Sequence, residues 1–142
     1  MNALVEPRTR AKKRPSKSSL AIIERAFRGS LEEQYGHIVW LSRVMHGMGA
    51  VTGLLLKSDT VMFARASQRR VALTIGDLRI DDVSHYESTI SDLLTEGVPV
   101  YAWRPDCVRV GLAGAALISG IQLIDEPDLP ILIQQFDCVW YW

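Results

Sequence analysis

The sequence predicts an α/β fold, a mainly parallel sheet of about five strands with helices on both faces. Three observations predict it. Short apolar runs, each long enough for one strand, alternate with segments whose apolar residues recur at helical spacing. Glycine or a capping pair stands at most of the changeovers. At 142 residues, with 48% hydrophobic and 23% charged side chains, the chain suits one globular domain. The same figures exclude a wholly disordered chain, a collagen-like repeat and a disulfide scaffold.

Taken in order, Leu20 to Ala26 reads as the first strand, followed by a turn at Arg28-Gly29-Ser30. Ser30 and Glu33 fit the capping box S-x-x-E, in which each side chain bonds the other's backbone amide. A helix is expected from Leu31 to His46, stopped by Gly47 and Gly49. Val51 to Leu56 is the second strand, and Lys57 to Thr60 leads into a short apolar piece, Val61 to Ala66. Val71 to Ile75 reads as a short strand or hairpin arm before Gly76-Asp77. A helix fits Val83 to Glu96, with Tyr86, Ile90, Leu93 and Leu94 on one face. Strands follow at Val98 to Trp103, Ile121 to Ile124 and Cys138 to Trp142, with a helix start at Pro105-Asp106-Cys107 and a short helix from Asp128 to Phe136.

The net charge of zero conceals an asymmetry. Residues 1–19 hold Arg8, Arg10, Lys12, Lys13, Arg14 and Lys17 against Glu6 alone, a balance of +5, so the remainder carries −5. This head lacks apolar periodicity and is expected to be a disordered basic tail, with the domain spanning residues 20–142. No apolar segment follows the basic run as a secretory signal requires. The longest uncharged stretch, Val110 to Ile124, has 15 residues, short of the roughly 20 that a membrane helix needs. A cytoplasmic protein with no membrane partner is the expectation. Cys107 and Cys138 read as reduced thiols for the same compartment.

Folds of this kind bind ligands beyond the carboxyl ends of the strands. That rule points to Arg28, Gly29, Ser30, Asp59, Trp103 and Arg104 as lining a pocket. No phosphate-binding loop is present. Gly47-Met48-Gly49 with Gly53 follows a helix and precedes a strand, the reverse of a dinucleotide fingerprint. His37, His46 and His85 lack metal-ligand spacing, so neither a metal nor a cofactor is expected.

Cys107 is the catalytic candidate. In the first turn of a helix, with Arg104 and Arg109 nearby, its thiolate would be favoured by the helix dipole and by positive charge, with Asp106 and any burial opposing. Cys138 and the four tryptophans read as core. The aromatic strand Cys138 to Trp142 is expected to be covered by a neighbouring subunit or by another element of the chain.

Glu33-Gln34-Tyr35 opening the first helix, the Leu54-Leu55-Leu56 strand, Glu96 to Tyr101 and the closing Asp137 to Trp142 stand in an order that resembles the DsrE family. That group includes the DsrE, DsrF and DsrH proteins and the TusB, TusC and TusD sulfur-relay subunits. The resemblance covers roughly residues 20–142. It implies a flavodoxin-like three-layer sandwich that assembles as a homo-oligomer, trimer or hexamer, or with sibling subunits. Active members carry a persulfide on a cysteine just after the strand corresponding to Val98–Trp103. Here that position falls on Trp103, and Cys107, about one helical turn later, is the displaced candidate.

Three readings of function follow. The first is a DsrE-like oligomeric subunit, an accessory or binding component of sulfur relay, with persulfide transfer through Cys107 as its enzymatic version. The second is a non-catalytic assembly or small-anion-binding module without thiol chemistry. The third is a nucleic-acid-associated protein acting through its basic tail, whose phosphate contacts would make binding strongly salt-dependent. A truncation beginning near Ser18 is expected to keep the thermal midpoint of the full chain; a large drop would show the tail packing on the domain.

Overall fold

A computed structural model describes residues 17–25, 38–70, 72–81, 85–112 and 116–142. Its centre is a five-stranded sheet built from β1 (Ser18–Ile23), β2 (Val51–Leu56), β5 (Val100–Trp103), β6 (Gln122–Ile124) and β7 (Cys138–Tyr141). The spatial order is β6-β5-β2-β1-β7, and every pairing in it is parallel. The expected α/β architecture is therefore present.

From Leu20 to Ile23 and from Gly53 to Leu56, β1 and β2 carry no polar side chain, because the sheet is covered on both sides. Ala21, Ile23, Leu54 and Leu56 face one apolar cluster, which takes in Val39, Ile90, Leu93 and Cys107. Leu20, Ile22 and Leu55 face a smaller one with Ile124 and Leu132. The larger face is covered by α1 (Ile38–Gly47), α2 (Tyr86–Thr95) and a 3-10 segment, Ser58–Ala64. The opposite face is covered by α4 (Leu129–Gln134). Between β5 and β6 lies α3 (Arg104–Arg109), with Pro105 in its first turn as anticipated. α1 stops at Gly49, whose φ of +90° suits a helix terminus and little else. The capping pair Ser30 and Glu33 lies outside the described residues.

Two sequence expectations become definite and two are corrected. The apolar piece after β2 is a 3-10 turn, because Thr60 bonds back to the strand ends and tightens the chain. Of the expected strand or hairpin arm Val71 to Ile75, Leu73–Ile75 is β3, one arm of a hairpin with β4 (Leu78–Ile80), separate from the main sheet and turning at Gly76-Asp77; Val71 lies outside the described residues. Cys138 is exposed instead of core, since it opens an edge strand. Trp40 is also exposed, and the terminal aromatics are only partly covered: Trp140 packs against the main cluster while Tyr141 and Trp142 lie largely open.

β7 is anchored at its start by Asp137. Its carboxylate accepts from the Ser18 amide at 2.8 Å and the Ser18 hydroxyl at 3.0 Å, which holds its carboxyl below the usual carboxylate range. Because the ionised form makes these bonds, the clamp is complete at neutral pH and is lost as pH falls through the lowered value.

Two adjacent residues of β2 make a paired prediction. A Cβ on Gly53 would sit 2.7 Å from the Phe136 ring and 3.3 Å from Pro99. Gly53→Ala should lower stability by about 1 kcal/mol, since overpacking costs about 1–3 kcal/mol and stiffening the unfolded chain returns up to about 1 kcal/mol. The Thr52 hydroxyl is buried without a hydrogen-bond partner among the described residues. Thr52→Val should raise stability by about 1 kcal/mol by removing that desolvated group. Urea denaturation of both variants checks the opposite signs.

Candidate functional site at the carboxyl edge of the sheet

The carboxyl ends of β1 and β2 meet at Thr60. Its hydroxyl, fully buried, lies 2.5 Å from the Ile23 carbonyl and 2.6 Å from the Lys57 carbonyl, and accepts from the Lys57 amide at 3.0 Å. The Lys57 amide also donates to Ile23 at 2.9 Å. Polar groups at the end of a buried strand need such partners.

The next residue, Ser58, has φ of +51°, a costly conformation for a side chain other than glycine. It is held there by Asp106 of α3, whose carboxylate accepts from the Ser58 amide at 2.6 Å. A bond to an ionised acceptor is among the stronger kinds available. The other Asp106 oxygen meets Arg109 at 3.3 Å, and Arg109 reaches Asp59 at 3.3 Å. Those two carboxylates push the Arg109 guanidinium pKa further up.

Of the residues expected to line a pocket, Asp59, Trp103 and Arg104 do gather at this edge. Lys57 places its ammonium 5.0 Å from the centre of the Trp103 ring and 3.6 Å from the Glu24 carboxylate. Arg104 pairs with Asp125 at 3.0 Å. Arg28, Gly29 and Ser30 lie outside the described residues. Lys57 and Asp106, central to the network, were not among the lining residues chosen from sequence. Their signal was present, since Lys57 follows a strand directly and Asp106 opens a helix beside a proline.

The network decides what the edge can bind. Lys57, Arg104 and Arg109 each face a carboxylate, so no surplus positive charge is concentrated between them. Among the described residues, an anion placed there would have to displace an existing partner. The order of strands reverses between β1 and β7, and the crevice at such a reversal opens onto the segment after β1. Of that segment Glu24 and Arg25 are described, and both amides bond to the Trp142 carbonyl, at 2.9 and 3.3 Å.

Cys107 lies beneath this network, 2% exposed, in the main core cluster. Burial pushes its thiol up, Asp106 adds to that, and Arg104 opposes without prevailing. The expectation of a dipole-favoured thiolate is therefore corrected. α3 is only six residues long, and Cys107 is its fourth, one position past the helix's first free amides. The histidines have structural partners. His85 caps α2 by accepting from the Ser88 amide at 3.3 Å, and His46 lies 3.2 Å from Glu96. His37 lies outside the described residues.

Elsewhere, a cleft of about 560 Å³ opens at the amino end of β5, between Leu94, Pro99 and Gln122. A second, of about 580 Å³, is lined by Arg69, Arg70, Ala72, Arg79 and Asp81 beside the hairpin. Arg79 is neutralised by Asp81 at 2.7 Å, and Arg70 donates to Ser88 at 3.0 Å. Neither cleft touches the carboxyl edge.

No protein-family model matches the chain, and no curated protein matches it. Among solved structures it is similar to the ychN protein from E. coli, with a TM-score of 0.69. The match covers 89% of this chain and 99% of that one at 18% identity. The likeness is one of fold. It supports the architecture expected from the resemblance noted in the sequence. Among the described residues no helix is long and apolar enough to cross a membrane. Residues 1–16, which hold nearly all of the basic tail, lie outside those described.

Alkylation separates the two cysteines. Cys138, exposed, should react with iodoacetamide at neutral pH much faster than Cys107, whose rate should rise only above the ordinary thiol range of about 8.5. The sign for stability is the same: protonated Cys107 favours the folded state, and that contribution is lost as pH climbs past the unfolded thiol's value. Faster modification of Cys107 near neutral pH would contradict the geometry.

Proposed function

We propose that this chain is an assembly subunit of DsrE-like fold, an accessory component connected with sulfur relay in the cytoplasm, which performs no thiol chemistry at Cys107. A homo-oligomer, trimer or hexamer, or a partnership with sibling subunits belongs to the same reading. The observation that carries it is the burial of Cys107 with its thiol pushed up.

Sulfur transfer requires a thiolate to attack the outer sulfur of a donor persulfide in line, with the donor thiolate leaving. A buried thiol held protonated offers neither the charge nor the approach. The balanced charges at the carboxyl edge add support, because among the described residues they leave no cationic cradle for a persulfide or a small anion.

The test is intact-mass spectrometry of the native protein after incubation with glutathione persulfide, followed by peptide mapping. No added sulfur should be found on Cys107, whereas the exposed Cys138 reports that the reagent is active. Sulfur on Cys107 at a rate matching or exceeding Cys138 would reinstate the carrier reading.

A further inference from the structure

β7 is the last strand of the sheet, and among the described residues no strand lies on its outer side. Its hydrogen-bonding parity is fixed by its bonds to β1. The Trp142 amide donates to Ile22, and the Trp142 carbonyl accepts from Glu24, so both groups of Trp142 face β1. In an extended strand these directions alternate residue by residue. With the parallel register Leu20 to Val139 and Ala21 to Trp140, the N–H and C=O of Val139 and Tyr141 therefore point away from the sheet.

Exposed strand edges are normally blunted by lysine, proline, a bulge or an inward charge. β7 has none of these. Its sequence, Cys138-Val139-Trp140-Tyr141, is uncharged, and the neighbouring Asp137 is turned back onto Ser18. The opposite edge strand, β6, is only three residues long and runs directly into Asp125, Glu126 and Pro127. The two edges are treated differently.

We propose that β7 pairs antiparallel with β7 of a second copy of this chain, about a two-fold axis at Trp140. In that register Val139 lies opposite the partner copy's Tyr141 and the reverse, and both residues present their donor and acceptor outward. Four backbone bonds form, the pattern of two directly opposed hydrogen-bonded pairs. The contact is isologous, each copy supplying the same surface. Being uncharged, the edge meets itself without like-charge repulsion. Tyr141, 65% exposed, and Trp142, 48% exposed, are covered by the pairing. With about 150–250 Å² per aromatic side chain, the two copies together remove on the order of 500 Å² of aromatic surface. A standard stable interface buries about 1,200–2,000 Å². The edge contact is therefore a weak, concentration-dependent one that reinforces an assembly.

This inference rests on the assembly reading above and names one of its contacts. It is tested by sedimentation velocity of the full chain over a concentration series, with Tyr141→Pro, Tyr141→Lys and Leu78→Asp beside the unaltered protein. The Tyr141 amide does not serve β1, so proline is tolerated there, as it is on edge strands whose N–H faces solvent. Tyr141→Lys leaves the backbone unchanged and guards against a folding defect in the proline variant. Both Tyr141 variants should raise the dissociation constant by about tenfold or more with an unchanged thermal midpoint, while Leu78→Asp, on the exposed tip of the hairpin, should leave it unaltered. Association that survives both Tyr141 variants, or that is lost in Leu78→Asp instead, overturns the edge pairing and leaves the assembly reading standing. A monomer at every concentration overturns the edge pairing together with the homo-oligomer, and leaves of the assembly reading only the partnership with sibling subunits.

Discussion

One buried hydroxyl holds the functional end of this molecule together. Thr60 bridges the last carbonyl of β1 and the first residue after β2, and the 3-10 turn that begins there is wound around it. That turn carries Val61, Phe63 and Ala64 into the main core and stacks Phe63 on Tyr86 of α2, with ring centres 3.8 Å apart. It also forces Ser58 into its left-handed conformation, which in turn calls for Asp106. The position of α3, and with it the depth of Cys107, follows from a constraint set on the far side of the site.

Asp106 thus has two consequences from one location. As an acceptor it steadies the strained turn, and as a negative charge beside Cys107 it opposes ionisation of the thiol. A site built to generate a thiolate would place a cation or a free amide there. Arg104 is present, but it is drawn off to Asp125. The electrostatics of the edge are those of a joint between elements, each charge matched by its neighbour.

Much of the architecture was readable because strand burial leaves a plain mark. Val51 to Leu56 is continuous in apolar character, and the strand occupies those six residues. Pro105 announced α3, and Gly76-Asp77 the hairpin turn. The 3-10 turn was not readable, since its cause is a bond between Thr60 and a strand 37 residues away. The burial of Cys107 was hidden for a similar reason: a six-residue helix has too short a period to show which face meets the sheet. Cys138 and Trp40 were misplaced because apolar character alone distinguishes neither a central strand from an edge one nor the inner face of a helix from its outer face. The rule for strand ends, a property of the topology, placed Trp103 and Arg104 at the carboxyl edge, where they lie. Lys57 and Asp106 required the contacts themselves.

The pairing of β1 with β7 joins segments that lie 119 residues apart at Ser18 and Asp137. β7 leaves the ribosome after every other described strand of the sheet. Until it emerges, β1 keeps its outer row of amides and carbonyls unpaired, although β2 can already cover the other side. The entropic cost of closing so long a loop grows only logarithmically, so thermodynamics tolerates the arrangement. Kinetics is less forgiving, because non-local pairing slows folding and leaves an intermediate with an open edge. During synthesis the nascent chain is therefore most vulnerable to aggregation at β1, and a chaperone that shields extended apolar segments would act on the interval before β7 docks.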